Sequence, residues 1–251
     1  MRILLTNDDG IHAPGLELLE AIAARLSDDV WVCAPLDEQS GAGHSLTLNM
    51  PVRLRQFGEK RFAVTGTPTD AVNLALRKLF ADRRPDLVIS GINGGENLAD
   101  DITYSGTISA AMEGALAGIP AIALSQSMRE AGHGFAAAEA WAARVLAPLI
   151  DAPKARRTLI NINFPALPAE AVKGIRVVRQ GLHDYARGSL VEGVDPRGKS
   201  YFWFGLEDVD HTLDHGTDLE AIGEGYVSVT PLQVDLTDHA ALGALAERYA
   251  S

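Results

Sequence analysis

Two adjacent carboxylates behind an apolar run are costly to ionise together. The chain carries such a pair near its start: Asp8 and Asp9, in Asn7-Asp8-Asp9-Gly10, directly after Arg2–Thr6. A hard divalent cation is the usual compensation, and Mg²⁺ or Mn²⁺ prefers carboxylate, amide and hydroxyl oxygens. Ser40 and Asn93, each in a loop behind another apolar run, can add an oxygen of that kind. Taken alone, Asn-Asp-Asp-Gly makes a turn and caps a helix. Its company argues for more. Three polar loops follow strand-like runs, 7–10, 37–45 and 90–97, and a fourth, 104–107, lies beyond the third at a helix start.

The last of these, Ser105-Gly106-Thr107, precedes a stretch rich in small residues. Free amides and two hydroxyls at a helix start make an anion site, and Gly106 would let an oxyanion approach the backbone closely. The plain alternative is a Ser/Thr helix cap. Gly91-Ile92-Asn93-Gly94-Gly95 lacks the order of a dinucleotide fingerprint, and no lysine follows a glycine loop as a P-loop requires. His12 and His44 sit in the site loops; His44 could act as an acid or phosphate contact, or simply be a polar loop residue. His183, His211, His215 and His239 form no zinc-like cluster in the sequence.

The elements that must position these groups alternate. Arg2–Thr6 reads as a buried strand, and Pro14-Gly15 opens a helix whose Leu16, Leu19, Ala23 and Leu26 share one face. Val30–Ala34 is a second strand, and residues 46–66 suggest two more, as a hairpin. Thr67-Pro68-Thr69-Asp70 has the form of a capping box with proline at the first helical position, opening a helix to about Phe80. Leu87–Ser90, Ala121–Ser125 and Thr158–Asn163 read as strands, with helices at Gly106–Leu116 and Phe135–Ile150. Alternating strand and helix predicts a doubly wound, mostly parallel α/β sheet of Rossmann-like type. In such a sheet, ligands bind beyond the carboxyl ends of the strands, where the four polar loops would lie. This catalytic unit would span 1–172. Residues 173–251 read as a β-rich extension or arm, with strand-like Ile175–Arg179, Tyr201–Phe204 and Tyr226–Thr230 and a helix near Ala240–Tyr249.

Composition narrows the function classes. With 251 residues, 47% apolar and 22% charged, disorder is a poor reading. A formal net charge of −11 disfavours duplex nucleic acid as a partner, though a bound cation can still admit a small anion. The single cysteine, Cys33, excludes an intrachain disulfide and reads as a core thiol. No apolar run approaches the ~20 residues of a membrane span, and the expected compartment is the cytoplasm.

These segments together resemble the survival protein E (SurE) family of nucleotidases. The likeness rests on Asn7-Asp8-Asp9-Gly10, Ser40 with Ser45-Leu46-Thr47, Gly66-Thr67-Pro68-Thr69-Asp70, Ser90-Gly91-Ile92-Asn93 and Tyr104-Ser105-Gly106-Thr107, in matching order. Leu159–Pro165 and Gly225–Leu236 also look like that family's later segments. The resemblance implies that Asp8, Asp9, Ser40 and Asn93 hold one divalent cation per subunit, with Asp8 and Asp9 as the catalytic residues. It implies that Asn97, Ser105, Gly106 and Thr107 line a phosphate pocket. The implied substrates are nucleoside 5′- and 3′-monophosphates, with short polyphosphate as a side activity, in a homodimer or homotetramer. Glu96 departs from the Pro or small residue expected there.

Two other readings use the same residues. A nucleotide sensor without turnover would place adjacent carboxylates unfavourably toward phosphate. Glycosyl transfer from a metal-bound sugar nucleotide lacks support from a bilobal length. An aspartyl-phosphate enzyme of the haloacid dehalogenase kind would show Asp-x-Asp after the first strand, and this chain does not.

Overall fold

The computed structural model describes residues 1–128, 132–150, 157–182, 189–205 and 215–250. Five strands lead the sheet: β1 (Arg2–Thr6), β2 (Asp29–Pro35), β3 (Leu54–Gly58), β4 (Arg61–Val64) and β5 (Leu87–Gly94). Then come β6 (Ala121–Gln126), β7 (Thr158–Phe164), β8 (Ile175–Val177) and β11 (Val227–Gln233). Their spatial order is β3-β4-β2-β1-β5-β6-β7-β11-β8. From β4 to β7 every pairing is parallel, as the alternation predicts. β3 closes one edge antiparallel to β4, which makes the expected hairpin. β11 runs antiparallel to β7 and carries β8 alongside it, so late chain segments join the main sheet. A separate antiparallel ribbon pairs β9 (Ser189–Val194) with β10 (Ser200–Gly205).

Side chains alternate across the strands and feed two cores. One face takes Ile3, Leu5, Ile89, Leu124 and Ile162 against Leu16 and Leu19 of α1 (Pro14–Ala23) and Ala138 and Leu146 of α4 (Ala136–Ile150). The other takes Leu4, Val88, Ala123 and Leu159 against α2 (Pro68–Leu74) and α3 (Gly106–Leu116). α3 is made of small residues because it packs close: a Cβ on Gly114 would lie 3.0 Å from that of Val88. Cys33 is buried in this second core as a free thiol.

The capping box at Thr67 and Asp70 forms with both reciprocal bonds, and the helix continues through a π-helical segment, Ala75–Leu79, to Phe80. β5 runs past Ser90 to Gly94, since a register shift lets Asn93 and Gly94 pair with Ser125 and Gln126. Gly91 sits at φ +137°, and a Cβ there would fall 2.3 Å from the Leu124 carbonyl oxygen. The ribbon strand β9 and the short helix α5 (Asp218–Gly223) have no counterpart among the predicted elements. α6 (Ala241–Tyr249) falls where a last helix is expected. Among the described residues no helix is long and apolar enough to cross a membrane.

Candidate active site

The strand order reverses between β1 and β5: from β1, the sheet grows through β2 on one side and through β5, β6 and β7 on the other. The crevice at that reversal is where a doubly wound sheet binds ligands. Asp8 and Asp9 lie in it, on the turn that leaves β1. The turn is closed by Asn7, whose Nδ2 donates to the Gly10 carbonyl at 2.9 Å. Gly10 carries the chain onward at φ +99°. The loop after β2 is tied to this turn by Gln39 N donating to the Asp8 carbonyl at 2.8 Å. The end of β5 is tied to it by Gly94 N donating to Asp9 Oδ2 at 3.2 Å. α3 completes the ring, with the Thr107 hydroxyl donating to Asp8 Oδ1. Three loops and a helix start thus meet around two carboxylates.

Electrostatics mark the pair. Asp8 is 4% exposed, and burial pushes its pKa up to about 6; Thr107 opposes the rise, while the charge of Asp9 adds to it. Asp9 is also raised, by burial first and by Glu38 in addition, against the Gly94 amide. Among the described residues no lysine, arginine or histidine forms an ion pair with either carboxylate. Nor do three His, Cys, Asp or Glu side chains group there in the manner of a zinc site. The donor set is instead two carboxylates with hydroxyl and amide oxygens in reach of the same turn. Asn7 Oδ1 is buried beside them with no hydrogen-bond partner among the described residues. That chemistry fits a hard divalent cation.

The other expected residues are placed as follows. Ser40 is exposed on the loop tied to Asp8, and its hydroxyl donates to Glu38 Oε1 at 2.9 Å. Asn93 is half-buried at the end of β5, and its Nδ2 donates to the Gly95 carbonyl at 2.8 Å, which leaves the side-chain oxygen for a ligand. Ser105 caps α3 by accepting from Ile108 N at 3.1 Å; its own proton is not used in that bond. The room beside Gly106 is taken by Asp8 rather than left open: a Cβ there would lie 2.7 Å from Asp8 Cβ and 2.9 Å from Oδ2. Gly106 therefore lets the helix start press against the carboxylate. Asn97 is buried behind this layer, with Nδ2 donating to Ser125 Oγ at 2.8 Å. Its main chain is gripped by Asn161 and Asn163 of β7, which anchors the loop between β5 and α3. Glu96 is half-buried on that loop. His44 is drawn to Glu113 at 2.7 Å, and His12 sets its ring edge-on to Phe57. His183 and His211 lie outside the described residues.

Three residues and one bond escape a reading by motif. Glu38 sits close enough to raise Asp9 and hold Ser40, and the run Asp37-Glu38-Gln39-Ser40 carries that signal only as local acidity. Asn161 and Asn163 were visible as two amides at period-2 positions of an apolar strand. The Thr107–Asp8 bond spans 99 residues of sequence, and no local pattern announces it.

Comparisons with known proteins give the family. The family model described as survival protein SurE matches residues 3–187. A protein of Erythrobacter litoralis named 5′-nucleotidase SurE is 68% identical over 251 residues, covering 99% of this chain and 100% of its own. One of the same name from Rhizorhabdus wittichii is 60% identical, over 99% of this chain and 100% of its own. The crystal structure of the SurE protein from Aquifex aeolicus superposes with a TM-score of 0.86 at 39% identity, covering 99% of each chain. The chain belongs to the survival protein SurE family.

Proposed function

We propose that this protein is a divalent-cation-dependent 5′-nucleotidase that hydrolyses nucleoside 5′-monophosphates to nucleoside and phosphate. One observation carries the reading: two adjacent carboxylates, Asp8 buried and Asp9 half-buried, with raised pKa and no cationic partner among the described residues, at the crevice of the sheet. The name 5′-nucleotidase carried by full-length relatives supports it.

In this account Asp8 and Asp9, with Asn93 and the Ser40 hydroxyl, hold one Mg²⁺ or Mn²⁺ per subunit. The cation, when bound, neutralises charge on the phosphate and lowers the pKa of a water. Thr107 fixes the Asp8 carboxylate in its working orientation. Ser105 and Gly106, at a helix start whose dipole favours anions, form the phosphate side of the site, with Thr107 and Asn97 behind them. A sensor without turnover would leave this carboxylate pair repelling its own ligand. We extend the reading to 3′-monophosphates and, as a side activity, to short polyphosphate, as the family resemblance suggests. Cys33, alone and buried, suits a reducing compartment such as the cytoplasm.

We also infer a homodimer or homotetramer. The β9–β10 ribbon exposes Tyr201, Phe202, Trp203 and Phe204, the last 91% exposed. α6 exposes Leu242, Leu245 and Tyr249 at helical spacing. A second copy would cover these apolar surfaces. The test of the function is phosphate release from AMP with Mn²⁺ or Mg²⁺ and with a chelator. Release that needs the cation is expected; none under any cation would refute the reading.

A further inference from the structure

The loop after β2 runs as a strap from the Asp8 turn to the start of α3, and its middle has little to hold it. Between Ser40 and Ser45 it reads Gly41-Ala42-Gly43-His44, and both glycines sit at left-handed φ, +75° and +54°. At the near end, Gln39 N donates to the Asp8 carbonyl at 2.8 Å. Farther along, Gly43 N donates to the Tyr104 carbonyl at 3.1 Å, one residue before the Ser105 that caps α3. Ser40 is suspended between those two points. His44 is the only long side chain in the span, and it reaches α3.

His44 Nε2 donates to Glu113 Oε1 at 2.7 Å. An ionised carboxylate only accepts, so a neutral ring with its proton on Nε2 is enough for this bond. Exposed ion pairs contribute little. This contact differs, because the Glu113 side chain is only 13% exposed and its second oxygen accepts from Asn73 Nδ2 of α2 at 2.5 Å. The Thr67 hydroxyl, at the start of α2, also donates to the Ser45 carbonyl at 2.7 Å. The far end of the strap is thus docked on α2 and α3 together. Glu113 lies seven residues beyond Gly106, about 10 Å along the helix. The ring nitrogen bound to it therefore points along α3 and not at the helix start assigned above to phosphate.

We propose that His44 is a positioning residue, docked through Glu113 and Asn73 so that the strap presents Ser40 to the cation site. The proposal rests on the cation reading above and places no chemistry on the imidazole. A serine already held near the carboxylates gives up less conformational freedom when it joins them around a cation. His44 therefore contributes to cation affinity and not to the chemical step.

The experiment has two arms on the full-length protein, with His44→Ala, His44→Gln, Glu113→Ala and Ser40→Ala. In the first arm, hydrogen exchange over residues 37–45 of the cation-free protein is followed by mass spectrometry. His44→Ala and Glu113→Ala should each speed exchange there by roughly tenfold. His44→Gln, whose amide can still donate to Glu113, should restore protection. Unchanged exchange in His44→Ala overturns the proposal. This arm needs neither cation nor turnover, so it stands if the cation reading fails. In the second arm, Mn²⁺ affinity is measured by electron paramagnetic resonance, and kcat for AMP at saturating Mn²⁺. His44→Ala should weaken Mn²⁺ binding by roughly tenfold and leave kcat within about twofold. In the Ser40→Ala background it should weaken binding no further, since His44 acts through Ser40. A loss of kcat of roughly a hundredfold at saturating Mn²⁺ would make His44 a catalytic or phosphate-binding group. Additive losses of affinity with Ser40→Ala would place its effect elsewhere. Either result overturns the proposal. No Mn²⁺ binding by the wild type would refute the cation reading alone. Circular dichroism and melting temperature check that each variant folds.

Discussion

The two edges of the central sheet treat their carboxylates in opposite ways. At the amino edge, Asp29 begins β2 and is fully paired. Arg2 Nε lies 2.8 Å away, Lys60 Nζ 2.9 Å and the Trp31 indole nitrogen 2.8 Å. Those bonds, Arg2 first, hold its carboxyl well below the usual range. Arg2 also lies over the Trp31 and Phe80 rings, so the cluster ties three elements together. At the carboxyl edge, two and three residues past the end of Arg2's strand, Asp8 is buried and Asp9 half-buried, and both are raised in pKa and unpaired with any cationic side chain among the described residues. A carboxylate whose charge the protein satisfies is structural. A pair whose charge it leaves unsatisfied is a candidate site for a ligand.

The comparison breaks first at activity. Asp8→Asn and Asp9→Asn should each lower cation-dependent AMP hydrolysis by about a hundredfold or more, since each removes a full charge from the cation site. Asp29→Asn should leave it unchanged. Steady-state phosphate release settles both, and near-normal turnover of either site variant at limiting cation would remove that residue from the ligand set.

Stability should run the other way. The folded chain holds the Asp8 proton more tightly than the unfolded chain between pH 3.8 and about 6. Folding stability of the cation-free protein therefore falls as pH rises through that window, by up to roughly 3 kcal/mol from this group. Asp29 has the opposite sign: its stabilisation is present above the ordinary carboxylate pKa and is lost on acidification below it. Mn²⁺ should consequently raise the melting temperature more at pH 7 than at pH 4.5. Equal shifts at both pH values would contradict the burial argument. Asp8→Asn should stabilise the cation-free protein at pH 7 while abolishing activity.

At the helix start, the smaller effects separate two roles. Gly106→Ala forces a methyl group into Asp8 and should cost about 1–3 kcal/mol of stability together with activity. Ser105→Ala loses a cap worth about 0.5–2 kcal/mol. If Ser105 also contacts phosphate, kcat/KM falls by roughly tenfold as well. Lower melting temperature with unchanged kcat/KM in Ser105→Ala would reduce that residue to a cap.

Much of this was legible because local chemistry wrote it. Asp8-Asp9 behind an apolar run, the capping box at Thr67–Asp70 and the small-residue helix after Ser105 each show their cause within a few residues. The same is true of the parallel sheet, which follows from alternation. What stayed hidden depends on distant partners. Gly106 could be read as special, but not that Asp8, 98 positions earlier in the chain, would occupy the space beside it. Asp29 looked like one more acidic residue, because Arg2 and Lys60 reach it only once β1, β2 and the hairpin are assembled. Gly91–Gly94 reads as loop, yet pairing with β6 extends the strand and brings Asn93 to the site.

The carboxyl edge of the sheet, and not the amino edge, should hold the cation. Electron paramagnetic resonance of Mn²⁺ titrated into the cation-free protein measures this directly. One Mn²⁺ bound per subunit is expected in the wild type and in Asp29→Asn, and none bound tightly in Asp8→Asn or Asp9→Asn. Unchanged Mn²⁺ binding in both site variants, or its loss in Asp29→Asn, would contradict it.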